Sequence, residues 1–220
     1  SRGGSVSTGA EWEELRASGT TAHAVQCDVA QGADARRLAA FVRRSVPSVR
    51  GVWHAAGALA DGLLSNQEAP TLRRVYSPKA HGALVLQAVT CAFAVEASVF
   101  FSSVAALLGG AGQANYAAAS TCLDALAARR RARGEAGVSV QWGAWAEVGM
   151  ASRGAAGARA AAMEASSGMR RIGLSHGLAA LEAVLQPSGP SVVGVVPVSW
   201  SRLLGESSVV PGFLSGFAPA

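Results

Sequence analysis

Residues 99–133 read VFFSSVAALLGGAGQANYAAASTCLDALAARRRAR, and this stretch decides the fold class. Its first part, Val99 to Ser102, is a short run of β-branched, aromatic and small residues with the length of a buried strand. A glycine-containing loop follows, and the Ala-rich segment from Asn115 to Arg133 has the length of a long helix that closes at Gly134. A strand followed by a long helix is the repeating unit of a parallel sheet, so the stretch predicts an α/β domain.

The same alternation of strand-length apolar runs and longer helical segments extends along the chain. Strands are predicted at Ala22–Cys27, Val49–His54, Val138–Trp142 and Val192–Val196, and helices at Ala35–Val46, Leu72–Val89 and His176–Leu185. Together they predict a Rossmann-like, doubly wound parallel sheet with helices on both faces. The segment from Met150 to Gly168 lacks this periodicity and is expected to form a loop or lid beside a binding crevice.

The two ends of the chain set the expected domain limits. A doubly wound sheet normally opens with a strand and a glycine-rich turn that approaches a nucleotide pyrophosphate, and neither is found ahead of residues 1–4. We therefore expect a partial domain over residues 1–205, with the first strand and the glycine-rich turn missing and with weak nucleotide binding by this chain alone. The Pro-, Gly- and Phe-containing residues 206–220 are expected to begin an interdomain linker.

The composition narrows the class of protein. Half of the 220 residues are apolar and 15% are charged, which indicates an ordered globular chain. No apolar run approaches the ~20 residues of a membrane span, and the first residues lack a signal-peptide core. Three cysteines without metal-type spacing predict free thiols and no zinc, so we expect a cytoplasmic protein. The formal charge is +5, but the arginines form no stripe with interleaved aromatics, which argues against nucleic-acid binding.

Two residues, Ser103 and Tyr116, are candidates for chemistry at the carboxyl edge of the sheet, where open α/β folds bind their ligands, and Lys79 is a third candidate on its chemistry alone. Ser103 directly follows the strand Val99–Ser102, and the loop Gly109–Gly112 can return the chain so that Tyr116 lies beside it. Lys79 is the only lysine among 19 Lys and Arg residues, and an amine, unlike a guanidinium, can shift its pKa. A carbonyl oxygen that gains negative charge needs hydrogen-bond donors and a proton, which a serine, a tyrosine and a nearby ammonium can supply. Taken alone, Ser103 also fits a helix cap, Tyr116 a core aromatic and Lys79 a surface residue.

The sequence segments around these candidates are similar to those of one known protein family. The segments Phe101-Ser102-Ser103, Gly112 to Ala119 and Leu123 to Ala127 closely resemble the ketoreductase domains of polyketide synthases, which belong to the extended short-chain dehydrogenase/reductase family. Supporting segments are Cys27-Asp28-Val29, His54 to Gly57, Pro78-Lys79 and Trp142 to Trp145. The similarity covers the chain up to about Leu204.

The resemblance implies a catalytic role for each candidate. Tyr116 would be the proton donor, Ser103 would bind the substrate carbonyl, and Lys79 would complete the catalytic set from an earlier helix. These ketoreductases carry asparagine four residues after the tyrosine, whereas this chain has Ser120. Because residues four apart share a helix face, we expect Ser120 to point into the site as well. Its hydroxyl is shorter than an amide, so Lys79 or a site water would be less firmly placed.

The resemblance also implies NADPH as the cofactor. Cofactor-binding positions are expected at Ser1, Arg2, Asp28, Val29, Ala55, Ala56 and Gly57, together with Lys79 and Tyr116. Asp28 matches the family's aspartate near the adenine, and residues 55–57 match the segment close to the adenosine ribose. Arg2 would bind the 2′-phosphate through its guanidinium, which favours NADPH over NADH.

Three positions, Asp61, Leu108 and Gln113, bear on the substrate and on stereochemistry. Leu59-Ala60-Asp61 partly matches the Leu-Asp-Asp signature of ketoreductases that form the D-configured 3-hydroxyl, with Ala60 as the mismatch. The opposite class carries tryptophan eight residues before the tyrosine, where this chain has Leu108. The resemblance therefore favours the D alcohol.

The activity that the resemblance implies is reduction, with NADPH, of a β-ketoacyl thioester to the β-hydroxyacyl thioester within polyketide or fatty acid biosynthesis. The implied partners are an acyl carrier protein that holds the substrate and adjacent synthase domains in the same polypeptide. Two alternatives stay open at this point. One is a reductase-silent structural domain of the same multienzyme, and the other is a stand-alone short-chain alcohol dehydrogenase.

Overall fold

The computed structural model describes residues 10–147, 168–186, 188–205 and 209–218. Their strands form one sheet in the order β1-β2-β3-β4, and every neighbouring pair is parallel. The strands are β1 (Gly51–His54), β2 (Ala97–Ser103), β3 (Val138–Trp142) and β4 (Val192–Val195). The sheet confirms the predicted α/β class with a parallel sheet.

Helices connect the strands and cover the sheet. They are α1 (Ala10–Ala17), α2 (Gly32–Ser45), α3 (Ala69–Tyr76), α4 (Gly82–Thr90), α5 (Ala105–Leu108), α6 (Ala114–Ala132), α7 (Leu174–Val184) and α8 (Trp200–Gly205). A π turn, Ser77–His81, joins α3 to α4, and 3-10 helices form at Leu64–Asn66 and Gly212–Phe217. Across the described residues no helix combines the length and the apolar content that a bilayer crossing requires.

Each face of the sheet carries a cluster of buried side chains, because helices cover a parallel sheet on both sides. On one face Phe100 packs with Ala83 of α4 and with Leu123 of α6. On the other face, neighbouring side chains pack with Ile172 and with apolar residues of α7. This second group comprises Val99, Val138, Val140 and Trp142, with Ala180, Leu181 and Val184 from the helix. Helices on both faces agree with the predicted doubly wound arrangement.

The loop between β2 and α6 brings the end of β2 next to the start of α6, where Tyr116 pairs with Ser103. Gly109 and Gly112 have φ values of 75° and 72°, which side-chain-bearing residues rarely adopt. These turns reverse the chain after α5, so that α6 starts over the sheet. The return predicted for this glycine loop is thus present.

Two predicted elements differ from the structure. No strand forms at Ala22–Cys27, because the sheet ends at β1 and this extended segment has no strand partner to complete a hydrogen-bond ladder. The helix predicted at Leu72–Val89 begins earlier, at Ala69, and is broken into α3, the π turn and α4. Pro78 lies in that turn and cannot donate a helical hydrogen bond, which accounts for the interruption.

Two further expectations concern the loop and the tail. Of the loop expected at Met150 to Gly168, all but Gly168 lies outside the described residues. In the tail, Phe217 stacks on Trp200 with ring centroids 4.3 Å apart, and Leu214 is buried. The tail's described portion therefore packs on α8, while the boundary at residue 206 stays a prediction.

Candidate active site

A cavity of about 510 Å³ opens at the carboxyl ends of the strands. Its walls come from the segments that directly follow β1, β2 and β3 and from helices α5, α6 and α7. The lining residues include Ala55, Ala56, Gly57, Lys79, Ser103, Leu108, Gln113, Tyr116, Trp142, Trp145, Leu174, Leu178 and Leu181. Parallel α/β sheets bind ligands at this edge, so the cavity is the candidate active site.

Tyr116 lies in the first turn of α6 and is only 8% exposed. Burial is the main cause that raises the pKa of its phenol, to about 12, and the Asp61 carboxylate raises it further. A side-chain hydrogen bond with Ser103 acts in the opposite direction and lowers the pKa. The phenol is therefore held in its protonated form and is paired with the serine that sequence analysis placed beside it.

Lys79 reaches the same cavity from the π turn. Its side chain is 2% exposed, and Nζ lies 4.1 Å from the centroid of the Tyr116 ring. Burial lowers the pKa of the amine to about 8, whereas the Asp124 carboxylate raises it. The amine contacts the face of the ring, which favours a cation there. The three candidates Lys79, Ser103 and Tyr116 are thus brought together.

Ser120 does not line the cavity. It is fully buried, and its Oγ donates a 2.8 Å hydrogen bond to the carbonyl oxygen of Tyr116, one turn back in the helix. A short hydroxyl side chain in a helix readily bonds the i−4 carbonyl in this way. The expectation that Ser120 points into the site is therefore wrong, and any role for it in turnover stays a prediction.

The predicted cofactor positions divide into three groups. Ala55, Ala56 and Gly57 line the cavity next to Lys79 and Tyr116. Asp28 and Val29 do not line it; Asp28 Oδ1 accepts a 3.1 Å hydrogen bond from the amide of Ala30. Ser1 and Arg2 lie outside the described residues.

Two of the three predicted substrate positions line the cavity. Leu108 and Gln113 line it, and Gln113 Nε2 donates a long hydrogen bond of 3.4 Å to Asp61 Oδ1. Asp61 itself is not part of the wall. The structure thus brings Asp61 to the site indirectly, through Gln113.

Asn115 has a structural role that sequence analysis did not assign. Its Oδ1 accepts from the backbone N–H of Tyr116 at 2.7 Å, and its Nδ2 donates to the carbonyl of Ala60 at 2.7 Å and to Gln67 Oε1 at 3.0 Å. These bonds tie the loop after β1 to the start of α6. Asn115 lies inside α6, after its first residue Ala114, so no capping signal in the sequence indicated this role.

The sequence also did not indicate that apolar residues of α7 form one wall of the cavity. Leu174, Leu178 and Leu181 recur at helical spacing on α7, a pattern typical of a core face. Trp142 and Trp145 add aromatic surface, with ring centroids 4.9 Å apart. The site is therefore a small polar group within a largely apolar pocket. Among the described residues no cluster of three metal-ligating side chains was found.

Known proteins match this chain over most of its length. The family model described as "KR domain" matches residues 1–147. Polyketide synthase GfsB of Streptomyces halstedii is 36% identical over 201 residues, which cover 91% of this chain and 4% of that protein. Spectinabilin polyketide synthase system protein NorB of Streptomyces orinoci is 43% identical over 175 residues, or 79% of this chain and 8% of that protein.

Solved ketoreductases share the fold. The ketoreductase from the first module of phoslactomycin biosynthesis in Streptomyces sp. HK803 superposes with a TM-score of 0.84 and 34% identity, covering 94% of this chain and 47% of that one. The first ketoreductase of the tylosin polyketide synthase gives a TM-score of 0.75 and 36% identity, covering 87% of this chain and 40% of that one. The chain therefore spans less than half of each of these structures and a small fraction of the synthases. It belongs to the family of ketoreductase (KR) domains of polyketide synthases.

Proposed function

We propose that this chain forms the catalytic part of a reductase that uses NADPH to convert a β-ketoacyl thioester, held on an acyl carrier protein, into the β-hydroxyacyl thioester. The observation that carries the proposal is the meeting of Lys79, Ser103 and Tyr116 at one cavity. Two hydroxyl groups and an amine in an apolar pocket are the donors that a carbonyl oxygen needs as it gains charge. Membership of the KR family supports the same reaction.

Each of the three side chains has a separate task in this reaction. Ser103 Oγ donates a hydrogen bond to the substrate carbonyl oxygen and orients it. Tyr116 Oη donates its proton to that oxygen, so that the carbonyl becomes a hydroxyl, and then regains a proton from solvent. Burial keeps the phenol protonated until transfer, since its pKa is raised to about 12. Lys79, as an ammonium over the ring face, stabilises the phenolate that forms.

The residues of the cavity fit part of a dinucleotide. The small side chains of Ala55, Ala56 and Gly57 form part of the cavity wall and leave room for a flat group to approach the backbone. Lys79 and Tyr116 supply donors for ribose hydroxyls beside them. NADPH, when bound, supplies the hydride. The preference for NADPH rests on Ser1 and Arg2, through the resemblance alone.

The cavity also suits an acyl substrate. Leu174, Leu178 and Leu181 of α7 provide an apolar wall opposite the hydroxyl groups, which matches a chain that is apolar except at its carbonyls. The relatives are very long polyketide synthases, since this chain covers only 4% of GfsB. That size supports a domain that works beside other synthase domains on a carrier-bound chain. The Leu59 to Asp61 segment favours the D-configured product.

The test is an assay of the full-length protein with a β-ketoacyl thioester on its carrier protein and on a short carrier mimic. We expect NADPH oxidation with formation of the D-configured β-hydroxyacyl product, and slower turnover with NADH. Chiral chromatography of the released acid identifies the product. Absence of the hydroxy product with either thioester would favour a reductase-silent domain, whereas turnover of a free alcohol with no thioester turnover would favour a stand-alone dehydrogenase.

A further inference from the structure

The helical segment that carries Lys79 has an unusual backbone. Between α3 and α4, Ser77–His81 form a π turn, in which Pro78 has no N–H to donate. π turns are rare and are often found at functional sites. This turn buries Lys79 and brings its Nζ over the Tyr116 ring. The position of the amine therefore depends on whatever fixes the turn.

His54 contacts the turn from the sheet. It is the last residue of β1, is 2% exposed, and its Nε2 lies 2.8 Å from the carbonyl oxygen of Lys79. Since a carbonyl oxygen only accepts hydrogen bonds, Nε2 must be the donor. Burial is the main cause that lowers the pKa of His54, so the ring is neutral and its hydrogen lies on Nε2.

Gly82 allows this close approach. It is the first residue of α4, and a Cβ there would lie 2.8 Å from Val29 Cγ2 and 3.4 Å from His54 Cε1. Its own N–H also donates to the carbonyl of Lys79. The imidazole, the turn and the start of α4 are thus packed against each other, so that the Lys79 carbonyl has little freedom to move.

We infer that His54 is a positioning residue for Lys79, acting through the hydrogen bond from its Nε2–H to the Lys79 carbonyl. The inference rests on the proposed function, in which Lys79 takes part in the reduction. His54 does not line the cavity, so it acts through the turn and not on substrate. Loss of the donor frees the turn and lets the amine leave the Tyr116 ring.

Two substitutions separate hydrogen bonding from packing. In His54→Gln the side-chain amide places its nitrogen near the position of Nε2 and can still donate, whereas His54→Leu fills space without a donor. In the full-length protein we expect His54→Leu to lower kcat about 10- to 100-fold, because a small displacement of a catalytic group has effects of that size. His54→Gln should keep most of the activity. Equal loss of activity in both variants would indicate packing alone and overturn the inference.

A second readout is the pH dependence of kcat. The amine of Lys79 has a pKa of about 8 because it is buried, with Asp124 as the opposing charge. In His54→Leu the loosened turn exposes the amine to water, so the activity limb near pH 8 should move to higher pH. If His54→Leu lowers kcat but its activity limb stays near pH 8, the positioning role of His54 is contradicted. If His54→Leu does not fold, His54→Asn takes its place. The asparagine amide nitrogen lies near the position of Nδ1 of the histidine and does not reach the Lys79 carbonyl.

A double-mutant cycle with Lys79→Met distinguishes failure of this inference from failure of the proposed function. If His54 acts only through Lys79, His54→Leu should cause no further loss in the Lys79→Met background. Wild-type turnover in Lys79→Met would remove Lys79, and with it the proposed mechanism. Slow turnover in Lys79→Met together with wild-type turnover in His54→Leu would overturn the positioning role alone.

Discussion

Helix α6 carries two buried polar clusters whose surroundings differ. The Tyr116 cluster (Lys79, Ser103, Tyr116) opens on the cavity at the carboxyl edge of the sheet. The Asp124 cluster (Asp124, Ser139, Gln141) lies two turns further along α6, where the carboxylate accepts from Ser139 Oγ at 2.6 Å and from Gln141 Nε2 at 2.8 Å.

The two clusters differ in how their polar groups are satisfied. Asp124 has two side-chain donors within the protein, both from β3, and so joins helix to sheet. In the Tyr116 cluster burial shifts both pKa values towards the neutral form, downward for Lys79 and upward for Tyr116. Buried polar groups that pair with the protein stabilise it, whereas those left facing a cavity are available to a ligand.

The largest expected effect is on turnover at Tyr116. In the full-length protein, Tyr116→Phe removes the proton donor and should lower kcat by about 10²- to 10⁴-fold. Stability should change by less than about 1 kcal/mol, because the lost hydroxyl faces the cavity. Steady-state product formation and thermal unfolding are the measurements. The second tyrosine of the chain, Tyr76, provides the control, since Tyr76→Phe should keep normal turnover. Normal turnover in Tyr116→Phe would remove the chemical distinction between the two clusters.

The next effect is a rise in stability with pH at the Tyr116 cluster. The pKa of Lys79 is about 8 in the folded state and about 10.4 unfolded, so above pH 8 the unfolded state binds more protons and stability rises. The rise amounts to roughly 3 kcal/mol. Above pH 10 the sign reverses, because the unfolded phenol ionises there while the folded phenol of Tyr116 keeps its proton up to about pH 12.

This dependence can be measured by urea unfolding at pH 7, 9 and 11, followed at α6 by limited proteolysis and mass spectrometry of the full-length protein. Lys79→Met is the matched variant, since methionine is a flexible apolar side chain without a charge. The rise between pH 7 and 9 should be absent in that variant. A rise of the same size in Lys79→Met would show that another group causes it.

The Asp124 cluster should respond in stability more than in turnover. Asp124→Asn replaces a carboxylate that accepts two hydrogen bonds by an amide with one acceptor oxygen, which should cost about 1–2 kcal/mol. It also removes the negative charge that raises the pKa of Lys79, so that pKa should fall below about 8. The control is Glu96→Gln in the exposed Arg50–Glu96 pair, where water and salt screen the charges and the loss of stability should be smaller than in Asp124→Asn. A kcat loss in Asp124→Asn as large as that in Tyr116→Phe would break the distinction between the clusters.

The sequence predicted the fold wherever an element buries an apolar face. Val138–Trp142 was predicted with the bounds that the structure has, since every residue of this strand is buried. Ala22–Cys27 has the same apolar character but forms no strand, because a strand also needs a pairing partner that composition does not reveal. Of the site, the pairing of Ser103 with Tyr116 followed from the glycine loop between them, and the place of Lys79 followed from the family resemblance. The π turn that places Lys79 did not, because it depends on Pro78 and on the contact from His54.

Ser120 is a second case in which the sequence did not predict the contact that a side chain makes. Substitutions of Ser120 give the smallest expected effect on turnover and stability. Spacing placed Ser120 on the face of α6 that carries Tyr116, but the hydroxyl turns back to the Tyr116 carbonyl instead of facing the cavity. That carbonyl already belongs to the helical hydrogen-bond ladder, so the extra bond adds little. Ser120→Ala should therefore cost less than about 1 kcal/mol in stability and leave kcat within about threefold of the wild type.

Ser120→Asn is a second test of whether residue 120 takes part in the reaction. Asparagine is the residue that the family resemblance implies at this position. However, Ser120 is fully buried, and added atoms in a closed site should cost about 1–3 kcal/mol. Thermal unfolding and kcat of both variants, measured beside Tyr116→Phe, give the comparison. A kcat rise in Ser120→Asn, or a large kcat loss in Ser120→Ala, would place Ser120 in the reaction and extend the Tyr116 cluster one turn along α6. Without either result, the boundary between the two clusters falls between Tyr116 and Ser120, where the cavity ends and the hydroxyl finds its partner in the helix backbone.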